Sequence, residues 1–134
     1  MNNPKILRTL ILVFGLVTAL VHLWLVYSGL TRPRNPGVSY QFLANGVGYL
    51  VLLGAFLLTR TYQVQWSRIV QYLLMAFAAG SIVAWFVVNQ GRFLLPLSIF
   101  DKAIEALLII ALWLHLRVTR PDHMHDQAPA SGGA

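Results

Sequence analysis

Four apolar blocks, each close to the ~20 residues that cross the hydrocarbon core of a bilayer, constrain this chain more than any other feature. They run Thr9–Leu30, Phe42–Thr59, Ile69–Val88 and Pro96–Leu116. The links between them are short, and consecutive helices on short links become antiparallel neighbours. The expected fold is therefore all-α: an integral membrane, up-down four-helix bundle occupying residues 1–116. The chain is 57% hydrophobic and only 10% charged, whereas charged residues approach about a quarter of a soluble domain. Cysteine is absent, which excludes disulfides and thiolate metal sites. The apolar run behind Lys5 and Arg8 continues to Leu30, longer than the apolar stretch of a cleaved signal. It reads as a retained helix.

The net charge of +6 does not point to nucleic acid, because the basic residues form no patch. They stand singly or in pairs at the ends of the apolar blocks, where they anchor helices against headgroups. Lys5, Arg8, Arg60, Arg68, Arg117 and Arg120 share one side of a four-span layout. Arg32, Arg34 and Arg92 occupy the other, joined by Lys102 if it reaches the interface. The excess places both termini in the cytoplasm of a multi-pass plasma-membrane protein. "TRPRNPGVSYQ" and "NQGRFLL" suit turns, and "RTYQVQWSR" reads as the link between helices 2 and 3. Pro96 fits the first position of helix 4, where its missing N–H costs nothing. The end "PDHMHDQAPASGGA", from within the segment 117–134, is a polar tail expected to be disordered. Its "DHMHD" offers loose copper or nickel ligands but reads as solvated tail.

Helix 4 opens on a peculiarity: "FDKAIEALLII" sets Asp101, Lys102 and Glu105 at the head of a membrane segment. Its uninterrupted apolar stretch is only Ala106–Leu114, which reaches roughly 13 Å at 1.5 Å per residue, under half of a ~30 Å core. The Leu, Ile and Phe residues of this block contribute about −3 to −7 kcal/mol to insertion, while three central charges oppose it by about 7–10 kcal/mol. Helix 4 is thus marginal alone and needs partners for its charges. Asp101 and Glu105 stack four residues apart, and Lys102 lies three before Glu105. Two stacked carboxylates repel unless one is protonated or a cation lies between them.

Counting residues inward identifies the groups at the same depth. His22 on helix 1, Asn45 and Tyr49 on helix 2, and Ser81 and Trp85 on helix 3 all fall in one outer-half layer with Asp101 and Glu105. This layer has two readings. In one, the polar groups merely satisfy each other: His22 with Glu105, Asn45 with a backbone carbonyl, Lys102 with Asp101. In the other, His22, Asn45, Tyr49, Asp101, Lys102 and Glu105 form a proton or cation relay or a small-ligand pocket. No Glu-x-x-His or His-x-x-x-His spacing indicates zinc or di-iron. A haem would need paired axial histidines, and His22 and His115 fall at opposite faces. The sequence names no cofactor and no catalytic residue.

Small residues indicate helix packing, because close backbone approach drives association in lipid. Helix 1 aligns Gly15, Thr18, His22 and Gly29, and helix 3 aligns Ala76, Gly80 and Ala84. Gly46, Gly48 and Gly54 miss the four-residue spacing. These faces can meet sister helices, a second copy of the chain or a protein partner.

The histidine in helix 1, "NGVGYL" at the opening of helix 2 and "FDKAIEALLIIAL" in helix 4 resemble a family of small four-helix membrane proteins of unassigned function from bacteria and archaea. The resemblance covers most of residues 9–116 and implies the fold but no activity. Tiny loops, small-residue faces and the lack of a nucleophile–base set lead to an expected accessory or scaffold subunit of a larger membrane assembly. The relay or small-ligand protein stands as the alternative.

Overall fold

A computed structural model describes residues 3–30, 36–62, 64–89 and 96–119. Among them are four helices: α1 (Pro4–Leu30), α2 (Pro36–Tyr62), α3 (Val64–Asn89) and α4 (Pro96–Val118). Three of these begin with proline at the first helical position, where no intrahelical bond needs the missing N–H. At the head of α1, Asn3 Oδ1 accepts a 3.0 Å hydrogen bond from the Lys5 backbone N–H, a side-chain cap for one of the free amides of the first turn. Asn3 and Pro4 therefore start α1 five residues before the apolar block begins. The last turn of α4 closes on Thr119, whose backbone N–H and hydroxyl both donate to the His115 carbonyl.

The helices outrun their apolar blocks. At 1.5 Å per residue, 27 residues of α1 extend about 40 Å, beyond a ~30 Å hydrocarbon core. The expected link "RTYQVQWSR" is mostly helical: α2 continues to Tyr62 and α3 has begun by Val64. Helix propensity of the flanking polar residues prevails there, since "RTYQVQWSR" contains neither glycine nor proline to stop the coil. The expected turn "TRPRNPGVSYQ" is helical from Pro36 onward, where proline opens α2; residues 31–35, the turn expected around Gly91 and Arg92 and the tail from Arg120 lie outside the described residues.

Three helices are long and apolar enough to cross a membrane: Pro4–Ser28, Tyr40–Thr59 and Trp66–Val87. α4 differs, because any eighteen consecutive residues within Pro96–Val118 include all of Asp101, Lys102 and Glu105. Among the described residues α1 packs against α2 and α4, and α3 against the same two. The core they enclose includes Ile11, Leu53, Phe56, Leu74, Leu108 and Leu112. The outward surface is equally apolar, with Trp24, Val51, Leu58, Val83 and Ile110 exposed.

Glycines fix how close the helices come. A Cβ on Gly15 of α1 would stand 2.7 Å from Leu53 Cδ2 of α2. One on Gly46 would stand 2.8 Å from Leu23 Cγ of α1, and one on Gly48 would run into the Phe77 ring of α3. Gly46 and Gly48 thus let α2 approach α1 on one side and α3 on the other. This explains why they ignore four-residue spacing: each serves a different neighbour. The stripe expected on α3 faces elsewhere. Gly80 has nothing within 4 Å, Ala76 is exposed and Ala84 half-buried, so these residues do not seat a sister helix.

Candidate functional site

Four helices each deliver a polar side chain to one buried place. α4 supplies Asp101, Lys102 and Glu105; α1 supplies His22, α2 Tyr49 and α3 Ser81. Glu105, Tyr49, His22 and Asp101 are at most 2% exposed. Their convergence follows from helical geometry: residues equally far along neighbouring helices lie at equal depth, at 1.5 Å per residue.

Lys102 organises the cluster. Its Nζ donates to Glu105 Oε2 at 2.7 Å and to Ser81 Oγ at 2.9 Å, and lies 3.1 Å from Asp101 Oδ2. The ammonium is therefore the cation between the two carboxylates, relieving the repulsion their stacking would cause. Three donors on one ammonium find three acceptors. Glu105 Oε1 accepts the Tyr49 hydroxyl at 2.9 Å. The Tyr49 ring in turn meets Phe77 edge-on at 5.0 Å, which places its hydroxyl from a well-packed base.

His22 completes the ring of groups. Its Nδ1–H donates to the Thr18 carbonyl one turn back, 2.9 Å away, which leaves Nε2 toward Glu105 Oε1 at 4.0 Å. Nδ1 also lies 3.7 Å from Asp101 Oδ1. That oxygen, like the Thr18 hydroxyl, is buried with no hydrogen-bond partner. One ligand atom from each of His22, Asp101 and Glu105 lies within 4.8 Å of the others. This juxtaposition can take a proton or a small cation on the face opposite Lys102. No local motif spacing marks it, because His22 and the two carboxylates come from different helices; counting depth along each helix is what places the three in one layer.

His22, Tyr49, Asp101, Lys102 and Glu105 come together, with Ser81 as a further member. Asn45 is half-buried on α2, one turn before Tyr49, and none of the cluster's hydrogen bonds reaches it.

A second polar group lies toward the other end of the helices, where sequence reasoning saw only an unsuitable haem ligand. Buried His115 Nδ1–H donates to Gln71 Oε1 at 2.9 Å. The Gln71 amide donates to the Ser67 carbonyl and hydroxyl, both at 3.1 Å. The imidazole stands edge-on to Phe56, over which Arg8 sits at 5.4 Å. The readable signal was a glutamine and a histidine at equal depth in otherwise apolar stretches. Between the two polar groups, α4 turns buried Leu108, Ala111 and Leu112 to the interior, with Ile109 partly buried against the same core. Ten residues from Glu105 to His115 make about 15 Å of apolar separation.

No family model matches the chain, and neither a curated protein nor a solved structure matches it. Fold and site rest on the chain's own geometry.

Proposed function

We propose that the chain is a multi-pass protein of the plasma membrane, an up-down four-helix bundle with both termini cytoplasmic, acting as an accessory or scaffold subunit of a larger membrane assembly. The observation that carries this reading is the pairing of Lys102 with Asp101, Glu105 and Ser81. Each charge that makes α4 marginal is met by a group inside the chain, so the cluster acts first as the clamp that holds α4 among the other helices. The apolar separation between the two polar groups opposes a relay running from face to face. A subunit of this kind offers its partners a helix surface, and the outward stripe of Ala76, Gly80 and Ala84 is the surface on which a partner helix can come closest. The decisive experiment is purification from native membranes in mild detergent with mass determination of the intact particle. A larger assembly that shrinks in Gly80→Leu supports the proposal; a particle of one chain in both proteins overturns it.

A second reading has its own support. The unpaired Asp101 Oδ1 and the His22–Asp101–Glu105 juxtaposition favour a small-cation or proton-binding site reached from one side. Side-chain nitrogen NMR of His22 reads it directly. A His22 signal that titrates in the native protein and moves in Glu105→Gln supports a proton site. A signal indifferent to both leaves the clamp alone.

A further inference from the structure

Beside the His115 group, α3 and α4 enclose a cavity of about 220 Å³ lined by Arg68, Tyr72, Met75, Trp113, Leu116 and Arg117. Two arginines face it from opposite helices, each one turn from an aromatic ring: Arg68 with Tyr72 on α3, Arg117 with Trp113 on α4. The Arg117 guanidinium carbon lies over the Trp113 indole, 3.8 Å from its centroid. Stacking holds the cation by its face and leaves its N–H edge available to an acceptor. Arg68 Nη2 is buried with no hydrogen-bond partner. A guanidinium donor removed from water without an acceptor is costly, and among the described residues neither arginine has a carboxylate at salt-bridge distance. The acids that are described, Asp101 and Glu105, belong to the cluster near the start of α4. Among the described residues this cavity therefore brings two cations together with no carboxylate beside them, and one of them keeps a buried N–H without an acceptor.

We propose that the cavity is a binding site for the phosphate of an anionic phospholipid, with Arg68 and Arg117 gripping the phosphate oxygens. The inference rests on the membrane placement proposed above. Guanidinium forks match phosphate geometry, and basic pockets between helices on the cytoplasmic side bind anionic headgroups. The volume suits a headgroup, being smaller than the ~300–1,000 Å³ of pockets that enclose whole organic ligands. Tyr72 and Met75 continue up α3 from Arg68 toward the apolar middle, and Leu116 floors the cavity beside them. An amphiphile with its charge at the arginines thus has an apolar track for its chain. Exposed Tyr72 and Trp113 stand where aromatic rings mark an interface.

The test uses the full chain in neutral detergent. Thermal unfolding is followed with added phosphatidylglycerol, phosphatidylcholine or inorganic phosphate, for the native protein, Arg68→Gln, Arg117→Gln and Arg117→Lys. Phosphatidylglycerol is expected to raise the melting temperature where phosphatidylcholine does not. Its half-saturating concentration rises at least tenfold in either glutamine variant, with partial recovery in Arg117→Lys, which keeps the charge but not the fork. Equal stabilisation by phosphatidylcholine, or undiminished phosphatidylglycerol binding in both glutamine variants, overturns the proposal. A full effect of inorganic phosphate with no added effect of the lipid overturns the lipid as source. Carbonate washing of native membranes separates the underlying reading: a chain that washes off refutes the membrane placement itself. A chain that stays but ignores phosphatidylglycerol refutes only the site.

Discussion

Removing the ammonium of Lys102 is the sharpest perturbation of the clamp. Lys102→Met keeps length and apolar stem but takes away the group that lies 2.7 Å from Glu105 Oε2 and 3.1 Å from Asp101 Oδ2. Two buried carboxylates one turn apart then face each other with Tyr49, His22 and Ser81 as their polar neighbours. Breaking a buried pair in this way costs about 3–5 kcal/mol. Glu105→Gln is milder, because Lys102 keeps Asp101 and the amide oxygen still accepts the Tyr49 hydroxyl. Loss of one charge-assisted hydrogen bond is worth about 1.5–3 kcal/mol. The triple apolar replacement Asp101→Leu, Lys102→Met, Glu105→Leu, made with Tyr49→Phe so that no buried hydroxyl loses its acceptor, removes every charge together and is expected within about 1 kcal/mol of the native chain or above it, as buried ion networks exchanged for packed apolar groups often are. For a chain of this size each kcal/mol moves the melting temperature by roughly 3–5 °C. Thermal unfolding in detergent should therefore rank the proteins as Lys102→Met lowest, Glu105→Gln between, and the triple variant near native. If Lys102→Met melts with the native protein, or the triple variant melts below both singles, the ammonium is not the bridge and the reasoning fails.

Other outcomes follow from the same geometry. Gly48→Ala drives a Cβ into the Phe77 ring and should lower stability by about 1–3 kcal/mol through overpacking. Gly54→Ala meets nothing within 4 Å and should raise stability by about 0.5–1 kcal/mol through helix propensity; equal melting temperatures for the two would discredit the close approach of α2 and α3. Gln71→Leu strips buried His115 of its acceptor and should cost about 1–3 kcal/mol, read in the same melts, with Ser67→Ala costing less. Single cysteines in this cysteine-free chain test orientation: an impermeant reagent on intact cells should label Ser39→Cys and spare Gln127→Cys, and the reverse pattern refutes cytoplasmic termini.

Much of this arrangement is readable from residue types and counting alone. Helix number follows from apolar blocks, and depth follows from a fixed rise per residue, so His22, Tyr49, Asp101, Lys102 and Glu105 can be placed in one layer before any packing is known. Rotation about each helix axis is what counting cannot supply. Ala76, Gly80 and Ala84 share a face that turns away from the other helices, whereas Asn45 shares nearly the face of Tyr49 but sits one turn away along α2 and stays half-buried. Gly46 and Gly48 are two residues apart and so point to different neighbours, a pattern invisible to a search for one repeating interface. The partnership of Gln71 with His115 hides for a similar reason: each looks isolated within its own helix, and only the pairing of α3 with α4 joins them.

The marginal character of α4 bears on how such a protein is made. A chain is synthesised from its N-terminus, so His22, Tyr49 and Ser81 have all left the ribosome before Asp101, Lys102 and Glu105 follow. In the proposed membrane setting, the three self-sufficient segments integrate first and the last one docks onto acceptors already waiting. A lesion far upstream, at Tyr49 for instance, would then surface as a C-terminal helix left outside the bilayer and exposed to proteolysis. Cellular surveillance would register a fault in the final segment whose origin lies some fifty residues earlier, the separation between Tyr49 and Glu105 being 56.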